Sequence, residues 1–157
     1  YTKPDFKGTS INNALEFLMK VTKRKAVVFL LSDFLDEGFL DSLKITARKH
    51  DLVGINIFDP YEQNFPNIGM LKAEDAETGV KFWIDTSNDH YLKQMNDLNT
   101  KKTNEFYKST QKMGLDIIPI STSEDYVEPL MRFFKKRGKR VGITVGIIPN
   151  LKSPSAL

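Results

Sequence analysis

The sequence feature that most constrains the fold is an uninterrupted apolar run over residues 26–31, which ends on Ser32 and Asp33. A segment that is apolar on both faces is typical of a strand buried inside a parallel sheet and covered on both sides by helices. In open α/β sheets, the residues just beyond the carboxyl ends of the strands line the ligand crevice. The run therefore predicts an α/β fold in which Asp33 lies where binding or metal coordination would occur.

Hydrophobic periodicity predicts that helices and strands alternate along the chain. The expected helices cover residues 10–23, 38–49, 88–113 and 124–136, and the expected strands cover residues 26–31, 52–58 and 115–120. Helix and strand in alternation imply right-handed crossovers and a mainly parallel sheet. Two short runs, residues 69–74 and 80–85, predict a β-hairpin at the edge of that sheet.

Length, charge and composition narrow the possible functions. A chain of 157 residues is long enough for one domain with a hydrophobic core. A net charge of +3 is too small to argue for nucleic-acid binding unless the basic residues cluster. The basic groups at residues 20–25 and 135–140 lie at predicted helix ends, where compensation of the helix dipole is the favoured explanation and nucleic-acid binding the alternative. The absence of cysteine excludes disulfides and thiolate metal sites.

No part of the sequence predicts a membrane span or a secretion signal. The longest uncharged apolar runs, residues 26–31 and 141–148, are far shorter than the roughly 20 residues that cross a bilayer. The chain starts without Met, on a Tyr-Thr-Lys-Pro sequence that is typical of the interior of a longer protein. We therefore expect a fragment of a cytoplasmic protein.

Seven short motifs occur along the chain in a fixed order. They are Gly-Thr-Ser at 8–10, Leu-Ser-Asp-Phe at 31–34, His-Asp-Leu at 50–52, Phe-Asp-Pro at 58–60, Asp-Ala-Glu-Thr-Gly at 75–79, Trp-Ile-Asp-Thr-Ser at 83–87 and Ser-Glu-Asp-Tyr at 123–126. Together they resemble the carboxyl-terminal half of proteins of the bacterial domain-of-unknown-function family 58, whose members contain a von Willebrand factor type A-like domain. The resemblance extends from about residue 8 to residue 137.

This resemblance implies a Rossmann-like three-layer αβα fold. Residues 1–137 would form a partial von Willebrand factor type A-like domain whose N-terminal strands are missing, and residues 138–157 would form a C-terminal tail. The first strand of the family would pair with the strand that ends at Ser32. Without that partner, the strand would present an apolar edge, which we expect to be covered by a second copy of the chain or by the β-prone residues 141–148.

The resemblance also implies a remnant of a metal-ion-dependent adhesion site. In the type A fold, this site needs an Asp-x-Ser-x-Ser loop, a Thr and an Asp. Thr9 matches that Thr and Asp33 matches that Asp, whereas the loop is absent from this chain. A divalent cation held by Thr9 and Asp33 alone would keep most of its coordination as water and bind weakly. We therefore expect no cofactor in this fragment, and Mg²⁺ only in an intact protein that supplies the loop.

Each of these polar residues also has a structural explanation. Thr9, or the neighbouring Ser10, can cap the first helix. Asp33 can accept hydrogen bonds from loop amides. Asp36 is expected to be an acid of the first turn of the second helix, and Asp59 is expected to form a turn.

The sequence contains no catalytic constellation that can be named. His50 and His90 are far apart and have no second His or Cys at metal-ligand spacing, so zinc is not predicted. Neither a nucleophile elbow nor a glycine-rich phosphate loop is present.

The resemblance implies a non-catalytic protein-interaction module that works with a MoxR-type AAA+ ATPase in the assembly or maturation of complexes. The expected partner is therefore a protein, rather than nucleic acid or a membrane, and a homodimer through the sheet edge is the other expected contact. The alternative is a Mg²⁺-dependent phosphoryl-transfer or phosphatase-like enzyme, with Asp33 and Asp59 as ligands at neighbouring strand ends.

Overall fold

The computed structural model describes residues 10–74 and 79–141. Thr9, the turn of the predicted hairpin and residues 142–157 lie outside these ranges, so the expectations for them stay predictions. In chain order the elements are α1 (Ile11–Val21), β1 (Val27–Ser32), α2 (Leu40–Lys49), β2 (Asp51–Phe58), α3 (Pro60–Gln63), β3 (Met70–Glu74), β4 (Lys81–Asp85), α4 (Asp89–Lys112), β5 (Asp116–Ser121) and α5 (Val127–Val141). Within the described residues, no helix combines the length and the apolar character needed to cross a membrane.

The main sheet has the strand order β1-β2-β5, and both pairs of strands are parallel. In the register, Phe29 lies opposite Val53, and Ile55 lies between Leu31 and Ile118. Parallel strands joined by helical crossovers give the mainly parallel α/β sheet that the alternation of helices and strands predicts. The fold class is therefore confirmed.

One face of the sheet carries the larger part of the core. Seven buried residues from α1, α2, β2 and the loops before α2 and β5 form this cluster: Ile11, Leu15, Phe34, Phe39, Leu43, Leu52 and Leu115. Phe106 and Met113, from α4 and its end, pack against it. Helix α5 covers the other face, where Val53, Ile55 and Ile118 are buried beside Leu130 and Phe133. The sheet therefore lies between two helical layers.

The expectation that β1 is buried on both faces is wrong for the described residues. Ile55 is 8% exposed, as expected of a central strand, but Phe29 on β1 is 45% exposed, and Val27 and Leu31 are also exposed. The apolar run predicts burial on both faces, whereas β1 is the edge strand of this sheet. Helix α5 contacts β5 and reaches β1 through an edge-on contact between Phe134 and Phe29, with ring centroids 6.1 Å apart.

Two further differences concern the second half of the chain. Strands β3 and β4 form the predicted antiparallel hairpin, but as a separate two-stranded sheet rather than on the edge of the main one. Helix α5 starts at Val127, whose N–H donates to Asp125 Oδ1 (2.9 Å), rather than near Ser123. Ser123 instead bonds to Ser121 in the turn before the helix. Helix α5 then continues through Gly138 to Val141, whereas the expected helix ended at residue 136.

Candidate functional site

A cleft of about 730 Å³ opens at the carboxyl ends of β1 and β2. The loop between β1 and α2 forms one wall and α4 forms another. Eight apolar side chains line it: Phe34, Leu35, Phe39, Leu40, Phe58, Phe65, Met95 and Phe106. Its size falls in the range of about 300–1,000 Å³ that is typical of ligand sites, and its place matches the ligand crevice of open α/β sheets. We refer to it as the carboxyl-edge cleft.

Asp33 lies at the exposed rim of this cleft and organises the turn that follows β1. Its Oδ1 accepts hydrogen bonds from the N–H of Leu35 (3.1 Å) and from Ser32 Oγ (3.3 Å). Ser32 Oγ in turn accepts from the N–H of Phe34 (3.1 Å). The structural explanation for Asp33, a strand-end carboxylate that binds loop amides, is therefore confirmed.

The same turn holds Phe34 in the left-handed region, with φ of 55°. For a non-glycine residue this conformation costs on the order of 1 kcal/mol. Burial of the ring offsets the cost, because Phe34 packs 4.8 Å from the Phe106 ring and 5.9 Å from the Phe39 ring, centroid to centroid. The turn thus directs an aromatic ring into the core and leaves Asp33 in solvent.

Asp36 connects the same loop to the start of α1. Its Oδ2 accepts from the N–H of Ile11 (2.8 Å) and its Oδ1 from the N–H of Glu37 (2.7 Å). Ser10 completes the cap, since its Oγ accepts from the N–H of Asn13 (3.2 Å). Asp36 was expected to be an acid of the first turn of α2, the helix that follows it. Its carboxylate instead caps α1, because the fold places the N-terminus of α1 beside this loop.

Asp59 ends β2 and caps α3. Its Oδ1 accepts from the N–H of Tyr61 (2.9 Å), and Pro60 takes the first helical position. The expected turn-forming role of Asp59 is confirmed. Asp59 and Asp33 both line the carboxyl-edge cleft, as parallel neighbouring strands require.

Sequence reasoning missed Asn56, which lines the same cleft with only 4% of its surface exposed. Its Nδ2 donates to the hydroxyl of Tyr107 on α4 (2.9 Å), while its Oδ1 has no donor within hydrogen-bond distance among the described residues. A buried acceptor without a partner costs about 1–3 kcal/mol. The sequence did contain one indication of its role, because Asn56 is the one polar side chain within the otherwise apolar residues 52–58.

The cleft is acidic. Its lining contains five carboxylates, on Asp33, Asp36, Glu37, Asp59 and Glu105, and one ammonium group, on Lys102. The N-terminus of α2 also faces it, but a helix end contributes only about half a positive charge. The carboxylates therefore determine the sign of the field in the cleft.

The two other notable polar groups lie at the amino ends of the strands. His50 is buried at the end of α2, where its Nδ1 accepts from the N–H of Ala26 (3.3 Å). The guanidinium of Arg137 on α5 donates to Asp51 and lies 4.0 Å from Asp116, at the starts of β2 and β5. These contacts fasten elements together at the edge of the sheet opposite to the carboxyl-edge cleft.

The residues present do not by themselves fit a Mg²⁺ site. Nowhere in residues 10–74 and 79–141 do three His, Cys, Asp or Glu side chains gather closely enough to hold a metal ion. Of the two ligands that the resemblance implies, Asp33 uses Oδ1 to hold its own turn and Thr9 lies outside the described residues.

The parallel sheet, its two helical layers and the cleft at its carboxyl edge define a Rossmann-like α/β protein. The profile of one family, described as "Protein of unknown function DUF58", matches residues 1–105, which is more than half of the chain. The chain therefore belongs to the DUF58 family. No solved structure matches it.

Its relatives include mycobacterial proteins that are named as uncharacterized. One from Mycobacterium avium is 27% identical over 128 residues, which are 79% of this chain and 73% of that protein. Relatives from Mycobacterium tuberculosis and Mycobacterium bovis are each 24% identical over 135 residues, which are 82% of this chain. The chain spans only 41% of the length of these two proteins.

Proposed function

We propose that this chain is a non-catalytic protein-interaction module that binds a protein partner through the carboxyl-edge cleft. The observation that carries the proposal is the composition of the cleft, in which an aromatic lining is rimmed by the strand-end carboxylates Asp33 and Asp59. Apolar walls supply burial of a partner's side chain, and the charged rim supplies orientation and selectivity.

The local bonding of these carboxylates favours binding over catalysis. Asp33 and Asp59 each use Oδ1 to accept a backbone N–H of the following turn. The one hydroxyl that Asp33 is shown to contact, on Ser32, itself accepts from the N–H of Phe34 within the same turn, so both carboxylates are engaged in shaping the rim. Such a rim is suited to hold a partner rather than to transfer a group.

The expected partner is a MoxR-type AAA+ ATPase, in the assembly or maturation of a complex in the cytoplasm. This part of the proposal is supported by the resemblance of the ordered motifs to proteins with a von Willebrand factor type A-like domain, which bind protein partners at this rim. The acidic cleft is consistent with a protein partner and unfavourable for a nucleic acid, whose phosphates would be repelled.

A second contact is proposed at the edge of β1. The strand is the last in the sheet of the described residues, and Val27, Phe29 and Leu31 expose their side chains beside it. An open apolar edge is a template for pairing with another strand. We expect a second copy of the chain or the β-prone residues 141–148 to cover it, and a second copy would make the protein a homodimer.

The alternative function is a Mg²⁺-dependent phosphoryl-transfer or phosphatase-like enzyme. One observation favours it: Asp33 and Asp59 line the same cleft. Turnover of p-nitrophenyl phosphate in the presence of Mg²⁺ that is lost in Asp33→Asn would support this alternative.

Binding to the MoxR-type ATPase of the same genome tests the proposal by isothermal titration calorimetry. We expect saturable binding that Met95→Trp weakens at least about tenfold, because Met95 lines the cleft and a larger side chain would fill it. Leu98→Trp is the matched control, since Leu98 is exposed on the same helix and does not line the cleft. No binding, or equal binding by Met95→Trp and the unchanged chain, would overturn the proposal.

A further inference from the structure

The carboxyl-edge cleft also indicates which chemical group of a partner it accepts. We infer that the cleft takes a guanidinium group, presented by an arginine side chain of the protein partner. This inference rests on the proposed function, because it names the partner group that enters the same cleft.

The charge of the cleft requires a cationic ligand. Five carboxylates and one ammonium group leave an excess of four negative charges along the lining. The half positive charge at the N-terminus of α2 is too small to offset this excess. Asp41, in the first turn of that helix, reduces the positive charge there further. An anionic or neutral group would gain nothing from this field, whereas a cation would be attracted and retained.

Asn56 supplies the second, independent reason. Its side chain is 96% buried in the lining, and its orientation is set by the bond from Nδ2 to Tyr107. That bond leaves Oδ1 as an acceptor without a donor among the described residues. The unmet acceptor is satisfied by a ligand that brings an N–H into the cleft, so the site selects for a donor as well as for positive charge.

The aromatic lining distinguishes guanidinium from ammonium. Phe58, Phe65 and Phe106 are half-buried in the walls and offer ring surface to a ligand. A guanidinium is planar, weakly hydrated and stacks on aromatic rings, and it carries five N–H donors, enough for an amide oxygen and a carboxylate together. An ammonium is compact and strongly hydrated, so it loses more on entering an apolar cleft.

A set of tripeptides tests the inference with the full chain. The probe is acetyl-Gly-Arg-Gly-amide, compared with peptides in which Arg is replaced by Lys, citrulline or Glu. Citrulline is the sharpest comparison, because it keeps the shape of arginine and removes its charge. By ¹⁵N NMR titration we expect the Arg peptide to saturate and to shift the side-chain amide signals of Asn56. We expect the Lys peptide to bind several-fold more weakly and the citrulline peptide at least tenfold more weakly.

Three variants locate the binding. Asn56→Leu should weaken the Arg peptide about tenfold, since it removes the acceptor with little change in size. Glu105→Gln should weaken it about two- to fivefold, as expected for an exposed charge. Asp97→Asn, on the same helix and outside the cleft, should leave the affinity unchanged. If Asn56→Leu does not fold, the site is tested by the affinity of Glu105→Gln and by the side-chain amide signals of Asn56 in the unchanged chain.

Equal binding of the Arg and citrulline peptides, equal binding of the Arg and Lys peptides, or an unperturbed Asn56 amide would each overturn the inference. Competition separates it from the proposed function. If the ATPase binds at the cleft, as shown by loss of binding in Met95→Trp, but the Arg peptide does not compete, the inference fails and the proposed function stands. If the Arg peptide binds and the ATPase does not, the ATPase is not the partner, and the inference of a guanidinium site stands.

Discussion

The carboxylate of Asp36 accepts a hydrogen bond from the backbone N–H of Ile11, at 2.8 Å, across 25 residues of sequence. The first N–H groups of a helix have no partner within the helix, so a carboxylate placed there satisfies a donor and interacts favourably with the positive helix end. The other oxygen of Asp36 holds the N–H of Glu37. One side chain therefore fastens the wall of the carboxyl-edge cleft to α1.

Replacing Asp36 should destabilise the protein. We expect Asp36→Ala to lower the free energy of unfolding by about 1–3 kcal/mol, because two backbone donors lose a charged acceptor. Urea denaturation followed by circular dichroism measures the change. The control is Glu37→Ala, an exposed neighbour that should stay within about 0.5 kcal/mol of the unchanged chain. Equal losses in the two variants would contradict the role of Asp36.

Truncations of Phe29 and Ile55 should differ in cost. Ile55 is buried in the central strand, so Ile55→Ala should cost about 2–5 kcal/mol. Truncation of a buried aromatic residue to Ala costs about 3–5 kcal/mol. Phe29 is 45% exposed on the edge strand, so we expect Phe29→Ala to cost about half of that. Chemical denaturation of both variants under one set of conditions tests this order. A larger loss for Phe29 would mean that its exposed face is covered in solution.

The open edge of β1 predicts that another strand covers it. If a second copy covers this edge, sedimentation analysis should give a dimer, and removal of residues 142–157 should leave it dimeric. If those residues cover the edge instead, their removal should convert a monomer into a dimer or an aggregate. The cut is placed after Val141 because α5 extends to that residue. A chain that stays monomeric after the cut, with fast amide exchange at Phe29 and Leu31, whose N–H groups face the open edge, would exclude both forms of cover.

Divalent cations should bind weakly. Asp33 uses Oδ1 within its own turn, and a cation held by it and Thr9 alone would retain mostly water ligands. Calorimetric titration with Mg²⁺ or Mn²⁺ should therefore show no tight binding. Micromolar affinity that disappears in Asp33→Ala would show this prediction to be wrong.

Asp85 provides a test by pH. Hydrogen bonds from the side chain and the backbone N–H of Ser87 lower the pKa of the Asp85 carboxyl. A lowered pKa in the folded state stabilises the fold above the unfolded pKa, and this contribution is lost as the pH falls through the folded pKa. NMR titration should find a higher pKa for Asp85 in Ser87→Ala and little change in Ser87→Thr, which keeps the hydroxyl. An unchanged pKa in Ser87→Ala would contradict the assigned cause.

Local patterns were enough to predict most of the elements. The spacing of Ile11 and Leu15 and the cap at Ser10 place α1 correctly, because both depend on residues within one or two turns. Apolar runs predict the three parallel strands for the same reason, and the parallel order then brings Asp33 and Asp59 to one edge.

The environment of each strand required the tertiary structure. The apolar composition of residues 26–31 allows both faces of this strand to be buried. Whether both faces are buried depends on which helices pack against them. Helix α5 lies against β5 and meets β1 only through Phe134 and Phe29. No pattern within β1 contains that information.

The sequence by itself determined the α/β class, the parallel strands and the carboxylates at their ends, since each follows from contacts within a few residues. The tertiary structure alone decided that Asp36 caps α1, that Asn56 bonds to Tyr107 from 51 residues away, and that Asp36 and Asn56 line one acidic cleft. The physical reason is that periodicity and capping are short-range, whereas the partner of a buried polar group depends on how the helices pack on the sheet.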